Sequence, residues 1–316
     1  MLTWTIGGGG LIGSAFGAIS ERSFSAAPVP WEDSELASNV LADSLDRFSS
    51  QVGEDEWAIA WTAGAATVAS GADETEAESA VLRRFAEHLS RHPPSGQGAF
   101  FLASSAGGVF AGAQPPPFGD ASTPVPLSPY GWSKLENEAI ASRALADTCP
   151  VVIGRFSNVY GPGQKLAKLQ GLISHLALAA ATRQPMNVFV PLSTVRDYIF
   201  VDDAAALAHA WIRHALLTQA QGAEIRTIAS GEGASVGQLI RTMQDVSHRK
   251  IPISMGSHPS ATSQAPDLRF IPSPTVGVGE LRHTALPIGM KRVFDGILDH
   301  LQRGQRTTNR ADPRGR

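Results

Sequence analysis

The chain has 316 residues, of which 43% are hydrophobic and 17% are charged, a composition that argues against a fibrous or disordered protein. The formal net charge is −3, although residues 303–316 carry five arginines against one aspartate, so the rest of the chain is near −7. An acidic body argues against nucleic acid as the main partner, because binding to a phosphate backbone requires a basic surface.

Strand and helix patterns alternate from the first residues onward. Leu2 to Ile6 is an apolar run that ends at four glycines, and a helical pattern opens directly after them. A second helix is predicted from Glu32 to Ser50, with acidic residues in its first turn. The next predicted elements are a strand at Trp57 to Trp61, a helix at Glu74 to Arg91 and a strand at Ala99 to Ala103.

The alternation continues after a proline-rich loop at Pro115 to Pro129. Near-continuous apolar strands separated by helices predict an α/β fold, in which a doubly wound parallel sheet of the Rossmann type is covered on both faces. The later predicted strands are Val151 to Arg155, Tyr198 to Val201 and Glu224 to Ala229, and the later helices are Tyr130 to Ala146, Leu172 to Thr182, Ala204 to Leu217, Ser235 to Ser247 and Met290 to Gln302.

The segment before Trp57 is too short for a full strand-helix-strand-helix passage after the first helix. We therefore predict a compressed edge of the sheet that can lack one strand. A full-length strand between Gln51 and Glu56 would contradict this prediction.

A glycine pattern follows the first strand, with Gly7, Gly10 and Gly13 spaced three apart. In a strand-turn-helix unit such glycines allow a tight turn, a close approach of backbone N–H groups to a pyrophosphate, and close packing of helix on strand. Four consecutive glycines can also form a simple flexible turn. The position after the first strand favours a dinucleotide site.

Tyr130 and Lys134 are four residues apart on a predicted helix, which places the phenol and the ammonium on one face. A neighbouring ammonium favours the phenolate form, which suits a proton-transfer catalyst. An isolated pair of this kind is more often an ordinary surface pair. Here the preceding apolar strand ends in Ser104 and Ser105, which supply a hydroxyl that can share a substrate proton.

At this point the sequence resembles the extended short-chain dehydrogenase/reductases, in particular the NAD-dependent epimerase/dehydratase branch that includes UDP-galactose 4-epimerase. The resemblance covers residues 1 to 205 well and the rest loosely. Its motifs follow one another in the order of the family, as IGGGGLIG from Ile6, WTAGAATV from Trp61, SSAGGVFAG from Ser104, YGWSK from Tyr130, and RFSNVYGPGQ from Arg155 with VRDYIFVDD from Val195.

The resemblance implies catalytic roles for three residues. Tyr130 would be the acid/base for a sugar hydroxyl or ketone, and Lys134 would favour its phenolate and anchor the ribose of the cofactor. Ser105 would donate a hydrogen bond through its hydroxyl, a role that Ser104 could exchange with it.

The resemblance also implies binding residues for NAD or NADP and for a nucleotide-diphosphate sugar. The cofactor would be bound by Gly7, Gly10, Leu11, Ile12, Gly13, Ala63, Gly64, Ser104 and Phe156. Asn158 and Arg196 would bind the diphosphate of the sugar nucleotide, and Phe189 would stack on its base. An ordinary salt bridge of Arg196 to Asp197 or Asp202 is the alternative reading of that arginine.

Two departures from the family pattern bear on the reaction and the cofactor. In the dehydratases that this chain resembles, an Asp-Glu pair follows the catalytic hydroxyl, whereas Ala106 and Gly107 stand here and cannot transfer a proton. A carboxylate usually ends the second strand and binds the adenosine ribose, yet none occurs between Ser23 and Trp31. Classical 4,6-dehydration is therefore disfavoured, and the choice between NAD and NADP stays open.

The domain prediction places a cofactor-binding Rossmann domain at residues 1–164 and a mainly substrate-binding region at 165–316. Parts of 196–230 are expected to return to the Rossmann sheet. The arginine-rich tail at 303–316 has no apolar periodicity and is predicted to be disordered.

The leading functional prediction is a nucleotide-sugar 4-epimerase that works through a transient 4-keto sugar with a bound nicotinamide cofactor. A ketoreductase that uses NAD(P)H on a 4-keto sugar is the alternative. A non-catalytic, NAD(P)-sensing protein on the same fold is the rival from another class, although such proteins commonly lose the Tyr or the Lys that this chain keeps.

Cellular context follows from what the sequence lacks. Cys149 is the only cysteine, which excludes an intrachain disulfide and suits a reducing cytoplasm. Apolar stretches are shorter than the roughly 20 residues of a membrane span, no basic segment indicates a signal peptide, and the nine histidines show no ligand spacing for a metal. A cytoplasmic protein without metal is expected, and the resemblance implies a homodimer that includes the Tyr130 helix.

Overall fold

Six parallel strands form the central sheet, in the order β2-β1-β3-β4-β5-β9. The structure, a computed structural model, describes residues 1–64, 66, 70–166, 171–219, 221–256, 265–275 and 283–310, with 304–310 as backbone only. The six strands are β1 Leu2–Ile6, β2 Arg22–Ser23, β3 Trp57–Trp61, β4 Gly98–Ser105, β5 Val151–Phe156 and β9 Ala223–Ile228.

Helices cover both faces of this sheet, because nearly every residue of its central strands is buried. One apolar cluster joins the sheet to α2, α3 and α5, and another joins the opposite face to α1 and α7. The helices around the sheet are α1 Leu11–Ile19, α2 Ser34–Val52, α3 Ala72–Arg91, the short α4 Ala106–Val109, α5 Pro129–Ala144 and α7 Val201–Thr218. The predicted α/β fold with a parallel sheet of the Rossmann type is confirmed.

A smaller region completes the chain. Its sheet has the order β10-β8-β12, with β6 also paired to β8, and a separate ribbon pairs β11 with β7. The strands are β6 Asn158–Tyr160, β7 Met186–Val188, β8 Val195–Phe200, β10 Gly233–Ser235, β11 Ile253–Met255 and β12 Asp267–Leu268. An apolar cluster holds together its three helices, α6 Leu172–Thr182, α8 Val236–Ser247 and α9 Leu286–Arg310.

The edge of the central sheet is compressed, as the sequence predicts. Between α1 and β3 the chain forms only the two-residue strand β2 and the helix α2, where a full passage would contain two strands and two helices. No strand forms between Gln51 and Glu56, since α2 continues to Val52 and a turn follows.

The C-terminal helix departs from the prediction. Helix α9 begins at Leu286 and ends at Arg310, so the segment 303–310 is helical rather than disordered. No proline stands between the predicted end at Gln302 and Arg310, so every residue of that stretch has a backbone N–H for the helix. Residues 311–316 lie outside the described residues. Within the described part of the chain, no helix is both long and apolar enough to cross a membrane.

Candidate active site

The carboxyl ends of the central strands bring the predicted site residues to one edge of the sheet. In the register of the parallel strands, Ile6 lies beside Trp61 and Ser105 lies beside Phe156. The turns and helices that follow β1, β3, β4 and β5 therefore open at the same edge. In the predicted motif after β3, Ala65 and 67–69 lie outside the described residues.

The glycine turn after β1 is shaped by two close approaches. Gly7 has a φ of +92°, and a Cβ there would lie 2.5 Å from the backbone nitrogen of Ala63. A Cβ on Gly13 would collide with the Gly7 oxygen, so α1 packs directly on the turn. The backbone N–H of Gly10 closes the turn by donating to the Gly7 oxygen at 3.0 Å. Both Gly7 and Gly13 are required to be glycine for steric reasons.

The start of α1 fits the pyrophosphate of a dinucleotide. Its N-cap residue, Gly10, provides no side-chain hydrogen bond to the first turn. The N–H groups of Leu11 and Ile12 therefore have no capping side chain, and the exposed Gly9 has nothing within 4 Å of the place where a Cβ would stand. Uncapped donors at the positive end of a helix beside an open glycine turn suit an anionic group.

Tyr130 lies in the first turn of α5, beside the end of β4. Pro129 opens the helix, and the Ser128 hydroxyl accepts a hydrogen bond from the Gly131 N–H at 3.2 Å. A Cβ on Gly108 would lie 3.0 Å from the Tyr130 ring and 3.4 Å from the Ser105 Oγ. The phenol ring and the hydroxyl predicted to act together therefore flank one backbone position.

Lys134 connects the phenol to the glycine turn. Its side chain is buried, with 8% of the residue exposed, and its Nζ lies 5.2 Å from the centre of the Tyr130 ring. The same Nζ lies 3.4 Å from the place that a Cβ on Gly64 would occupy. Gly64 follows Ala63, which contacts Gly7, so the predicted catalytic pair and the predicted cofactor turn are continuous.

Ser104 and Ser105 are not interchangeable in the structure. The Ser104 Oγ donates a hydrogen bond of 2.5 Å to the Glu138 carboxylate, away from Tyr130. The Ser105 Oγ accepts from the Gly108 N–H at 3.1 Å and caps α4. Successive residues of a strand point to opposite faces, so Ser105 faces the phenol and Ser104 faces Glu138. The contact of Ser104 with a cofactor stays a prediction.

Two functional candidates escape the sequence reasoning. Glu138 on α5 and Arg155 on β5 form a bidentate ion pair, with N–O distances of 2.9 and 2.7 Å and both side chains at most 6% exposed. The spacing of four from Tyr130 to Lys134 to Glu138 was the available signal, because it places all three residues on one face of the helix.

The Phe156 side chain packs in the core at the end of β5. Its ring is 3% exposed and packs edge-on against Phe101, at 6.0 Å between centroids, in the cluster under α1 and α7. Its position at the end of β5 leaves only its backbone to line a cofactor. The predicted place of Phe156 beside the nicotinamide stays a prediction.

Asn158 and Arg196 lie on adjacent strands, since β6 pairs with β8. The exposed Asn158 donates from its amide to the backbone oxygen of Asp197 at 2.9 Å. Arg196 donates to the Val195 oxygen at 2.8 Å. Burial lowers the pKa of Arg196, whereas Tyr198 and Asp267 raise it.

The alternative for Arg196, a salt bridge to Asp197 or Asp202, does not form among the described residues. The buried Asp197 carboxylate accepts from the N–H groups of Ser230 and Gly231 at 3.0 and 2.8 Å, and from the Ser230 hydroxyl. Burial raises the pKa of Asp197, and hydrogen bonds from Ser230 and Gly231 lower it. No salt bridge joins Arg196 to Asp197 or Asp202 in the described part of the chain.

Phe189 follows β7 and is 36% exposed. Its ring lies over Gly256, where a Cβ would come within 2.8 Å of it. The ring is partly exposed in the smaller region. Nothing in the described part of the structure places it beside Tyr130. Its predicted stacking on a base stays a prediction.

The segment that follows β2 carries no carboxylate before Glu32. β2 contains two exposed residues, and no acidic residue occurs between Ser23 and Trp31. The ion pair nearest to β2 joins the exposed side chains of Arg22 and Asp55 at 2.6 Å. In the register of β1 and β2, Arg22 lies beside Leu2, at the opposite end of the strand from the glycine turn. Among the described residues, no cluster of metal-ligating side chains is present.

Comparison with known proteins identifies the family. The sequence model of the NAD dependent epimerase/dehydratase family matches residues 39–221, more than half of the chain. The chain is also similar to the UDP-glucose 4-epimerase of Azospirillum brasilense, with 31% identity over 163 residues. That match covers 47% of this chain and 46% of the relative, so the chain spans about half the length of this curated relative. The chain belongs to the NAD dependent epimerase/dehydratase family.

Solved structures show the same fold over nearly the whole chain. The UDP-glucose 4-epimerase of Thermus thermophilus in complex with NAD has a TM-score of 0.72 at 18% identity, and the match covers 94% of this chain and 98% of that one. RMD from Pseudomonas aeruginosa complexed with NADPH has a TM-score of 0.73 at 17% identity, with 95% and 99% covered.

Proposed function

We propose that this chain is a nucleotide-sugar 4-epimerase that works through transient oxidation to a 4-keto sugar with a bound nicotinamide cofactor. The observation that carries the proposal is the continuity from Tyr130 through Lys134 and Gly64 to the glycine turn. The family membership and the names of the similar proteins support the substrate class, a nucleotide-diphosphate sugar.

The residues at this edge of the central sheet fit a nicotinamide dinucleotide. Different residues along the edge would bind its pyrophosphate and its nicotinamide ribose. Gly7, Gly10 and Gly13 would admit the pyrophosphate, with the N–H groups at the start of α1 directed to it. Lys134 would hold the nicotinamide ribose near Gly64. When bound, the nicotinamide supplies the acceptor and donor of the hydride.

The chain's own residues would move the proton. Tyr130, as phenolate, takes the proton from the C4 hydroxyl of the sugar, and Ser105 holds the same oxygen by a hydrogen bond. The Lys134 ammonium, which is buried beside the Tyr130 ring, would stabilise the phenolate. The return of the proton from Tyr130 to the C4 oxygen then completes the exchange at that carbon.

A ketoreductase is the second candidate, and the bare adenosine end favours it. Without a carboxylate for the ribose hydroxyls, the cofactor would exchange more readily with solution. An epimerase needs to retain its cofactor between the two hydride transfers, whereas a reductase needs to release it. The same feature leaves NAD and NADP as the two candidate cofactors.

The test is a panel of UDP-, GDP- and dTDP-sugars incubated with the purified protein and followed by NMR, with and without added NAD(P)H. Interconversion of C4 epimers without added reductant supports the epimerase. Turnover of a 4-keto sugar that depends on added NADPH or NADH supports the reductase. Binding of cofactor without turnover of any sugar, and an unchanged cellular activity of Tyr130→Phe, would support a cofactor sensor instead.

We also propose a cytoplasmic homodimer that associates through α3 and α5. Trp132, in the first turns of α5, is 61% exposed. It lines a shallow groove between the two helices together with Ala72 and Thr75 of α3. Large exposed aromatic side chains are typical of interfaces. Light scattering on the native chain and on Trp132→Ser tests the dimer, which the substitution should weaken.

A further inference from the structure

The buried ion pair behind Tyr130 lies at the centre of three elements that carry the site. Ser104 and Arg155 are neighbours on β4 and β5, and both reach Glu138 on α5. The residues that follow them, Ser105 and Phe156, end the same two strands. The pair therefore fixes the position of α5 relative to the strand that carries the Ser105 hydroxyl.

The Glu138 carboxylate could also form an ion pair with the Lys134 ammonium, which Tyr130 requires for the proposed proton transfer. Lys134 and Glu138 are four residues apart on one helix, both are buried, and a lysine and a glutamate at this spacing commonly pair. In the structure both carboxylate oxygens are used elsewhere. One accepts from the Arg155 Nε and from Ser104, and the other accepts from the Arg155 Nη2. The guanidinium lies over the Phe110 ring at 5.3 Å, which holds it in place.

We propose that Arg155 and Ser104 are positioning residues that sequester the Glu138 carboxylate, so that Lys134 stays available to Tyr130. The pair neutralises a charge that would otherwise draw the ammonium one turn along α5, away from the phenol. Glu138 in turn anchors α5 to β4 and β5. This inference rests on the proposed proton transfer by Tyr130.

Among the described residues, the other charged groups beside the first turns of α5 include Asp73 and Glu76 of α3, which line the groove next to Pro129 and Trp132. α3 contributes Glu78, whose Oε2 lies 3.6 Å from the Cβ place on Gly64 and whose Oε1 accepts from the Ala66 N–H. α4 contributes no titratable side chain, and β4 contributes the two serines. Every variant below leaves Glu78 and Lys134 in place, so the differences among them report on Glu138 and Arg155.

The phenol can be observed directly, because the chain has only three tyrosines. Burial raises the pKa of Tyr198 to about 12, and burial and Asp203 raise the pKa of Tyr160 as well. Phenolate absorbance near 295 nm that is lost in Tyr130→Phe therefore belongs to Tyr130. The spectrum of Tyr130→Phe provides the background, and the measurement requires neither substrate nor cofactor.

The removal of Arg155 and the removal of Glu138 should shift the titration midpoint of Tyr130 in opposite directions. Tyr130 and Glu138 are eight residues apart, or about 12 Å along the helix axis. A charge at that distance in a protein moves a titration midpoint by about one pH unit. Arg155→Met exposes Lys134 to the free carboxylate, so the midpoint should rise by about one unit. Glu138→Gln removes the carboxylate, so the midpoint should fall.

The control and the double variant complete the test. Arg83→Met removes the partner of Glu136, an exposed glutamate on the same helix, and should leave the midpoint unchanged. Glu138→Gln with Arg155→Met removes both charges and should return the midpoint to within a few tenths of a unit of the native value. Folding of each variant is checked by near-UV circular dichroism.

Shifts in the same direction for Arg155→Met and Glu138→Gln, or no shift in either, would overturn the inference. Failure of the double variant to restore the midpoint would also overturn it. If Arg155→Met does not fold, Glu138→Gln decides alone, because removal of the carboxylate should lower the midpoint and an unchanged midpoint would overturn the inference. Opposite shifts in a protein that turns over no sugar would leave the inference standing while the proposed function fails.

Discussion

The two ends of the sheet edge differ in how completely they are built. At the nicotinamide end, β4, β5 and α5 are joined by a buried ion pair, and a phenol, an ammonium and a hydroxyl meet around Gly108 and Gly64. At the adenosine end, β2 has two residues, no carboxylate follows it, and the nearest ion pair is exposed. Under the proposed function, the nicotinamide end carries all three proposed proton-transfer residues, whereas the carboxylate expected at the adenosine ribose is missing between Ser23 and Trp31. Catalysis and cofactor retention can therefore be tested separately.

The largest effect should come from the nicotinamide end. Tyr130→Phe removes the proton carrier without changing the ring that packs on Gly108. Loss of a positioned general acid/base lowers kcat by about 100- to 10,000-fold. NMR rates on the best substrate of the panel give the measurement, and calorimetry should show unchanged cofactor binding. A decrease below tenfold would remove Tyr130 from the proton-transfer step.

The second largest effect should come from the glycine turn after β1, which both ends of the edge share. Gly13→Ala places a Cβ against the Gly7 oxygen, so α1 must move away from the turn. Losing hydrogen bonds to a charged group, each worth about 1.5–3 kcal/mol, should weaken cofactor binding by about 100-fold or more. Gly17→Ala is the matched control, because nothing lies within 4 Å of a Cβ there. Equal affinities for the two variants, measured by calorimetry, would contradict a pyrophosphate at the turn.

A smaller effect should follow from repairing the adenosine end. The register pairs Leu2 with Arg22 and Thr3 with Ser23, and the exposed Ala27 lies in the segment that follows β2. Ala27→Asp would supply the missing carboxylate for the ribose hydroxyls and should tighten NAD binding about tenfold, the value of one charged hydrogen bond. NADP should bind less well, because the carboxylate repels its 2′-phosphate. Ala27→Asn controls for size, and a gain for both cofactors would argue against this explanation.

The smallest effect should come from the exposed ion pair at the same end. Arg22 lowers the pKa of Asp55 through a hydrogen bond and its charge. A lowered carboxyl pKa contributes stability above the unfolded pKa, and this stability is lost as the pH falls through the folded one. Since both side chains are more than half exposed, Arg22→Gln should leave Tm unchanged at pH 7 and at pH 3. A large decrease at pH 7 alone would show that the short edge depends on this pair.

Sequence patterns predict the parts of this molecule that depend on local periodicity. The strands at Leu2–Ile6 and Trp57–Trp61 and the helix at Leu172–Thr182 match the predicted bounds, because apolar runs and helical spacing define them directly. The compressed edge also follows from chain length alone. The end of α9 at Arg310 does not, since the tail has no apolar periodicity to mark a helix.

The site is predictable by position but not by orientation. The order of motifs brings Ser105, Tyr130 and Lys134 to one edge. Which serine faces the phenol depends on the alternation of β4 at its last two residues, and the partner of Ser104 comes from a helix 34 residues later in the chain. Such long-range pairs leave no local pattern in a single sequence.

The most direct test of the account measures the nicotinamide itself. The native protein, loaded with NAD and mixed with the nucleotide sugar that it turns over in the panel, should show a rise in absorbance at 340 nm as the sugar carbon is oxidised. The same mixture with Tyr130→Phe should show almost none. If the native protein binds both ligands and neither reduces the nicotinamide nor interconverts the sugar, hydride transfer at a carbon beside Tyr130 is contradicted.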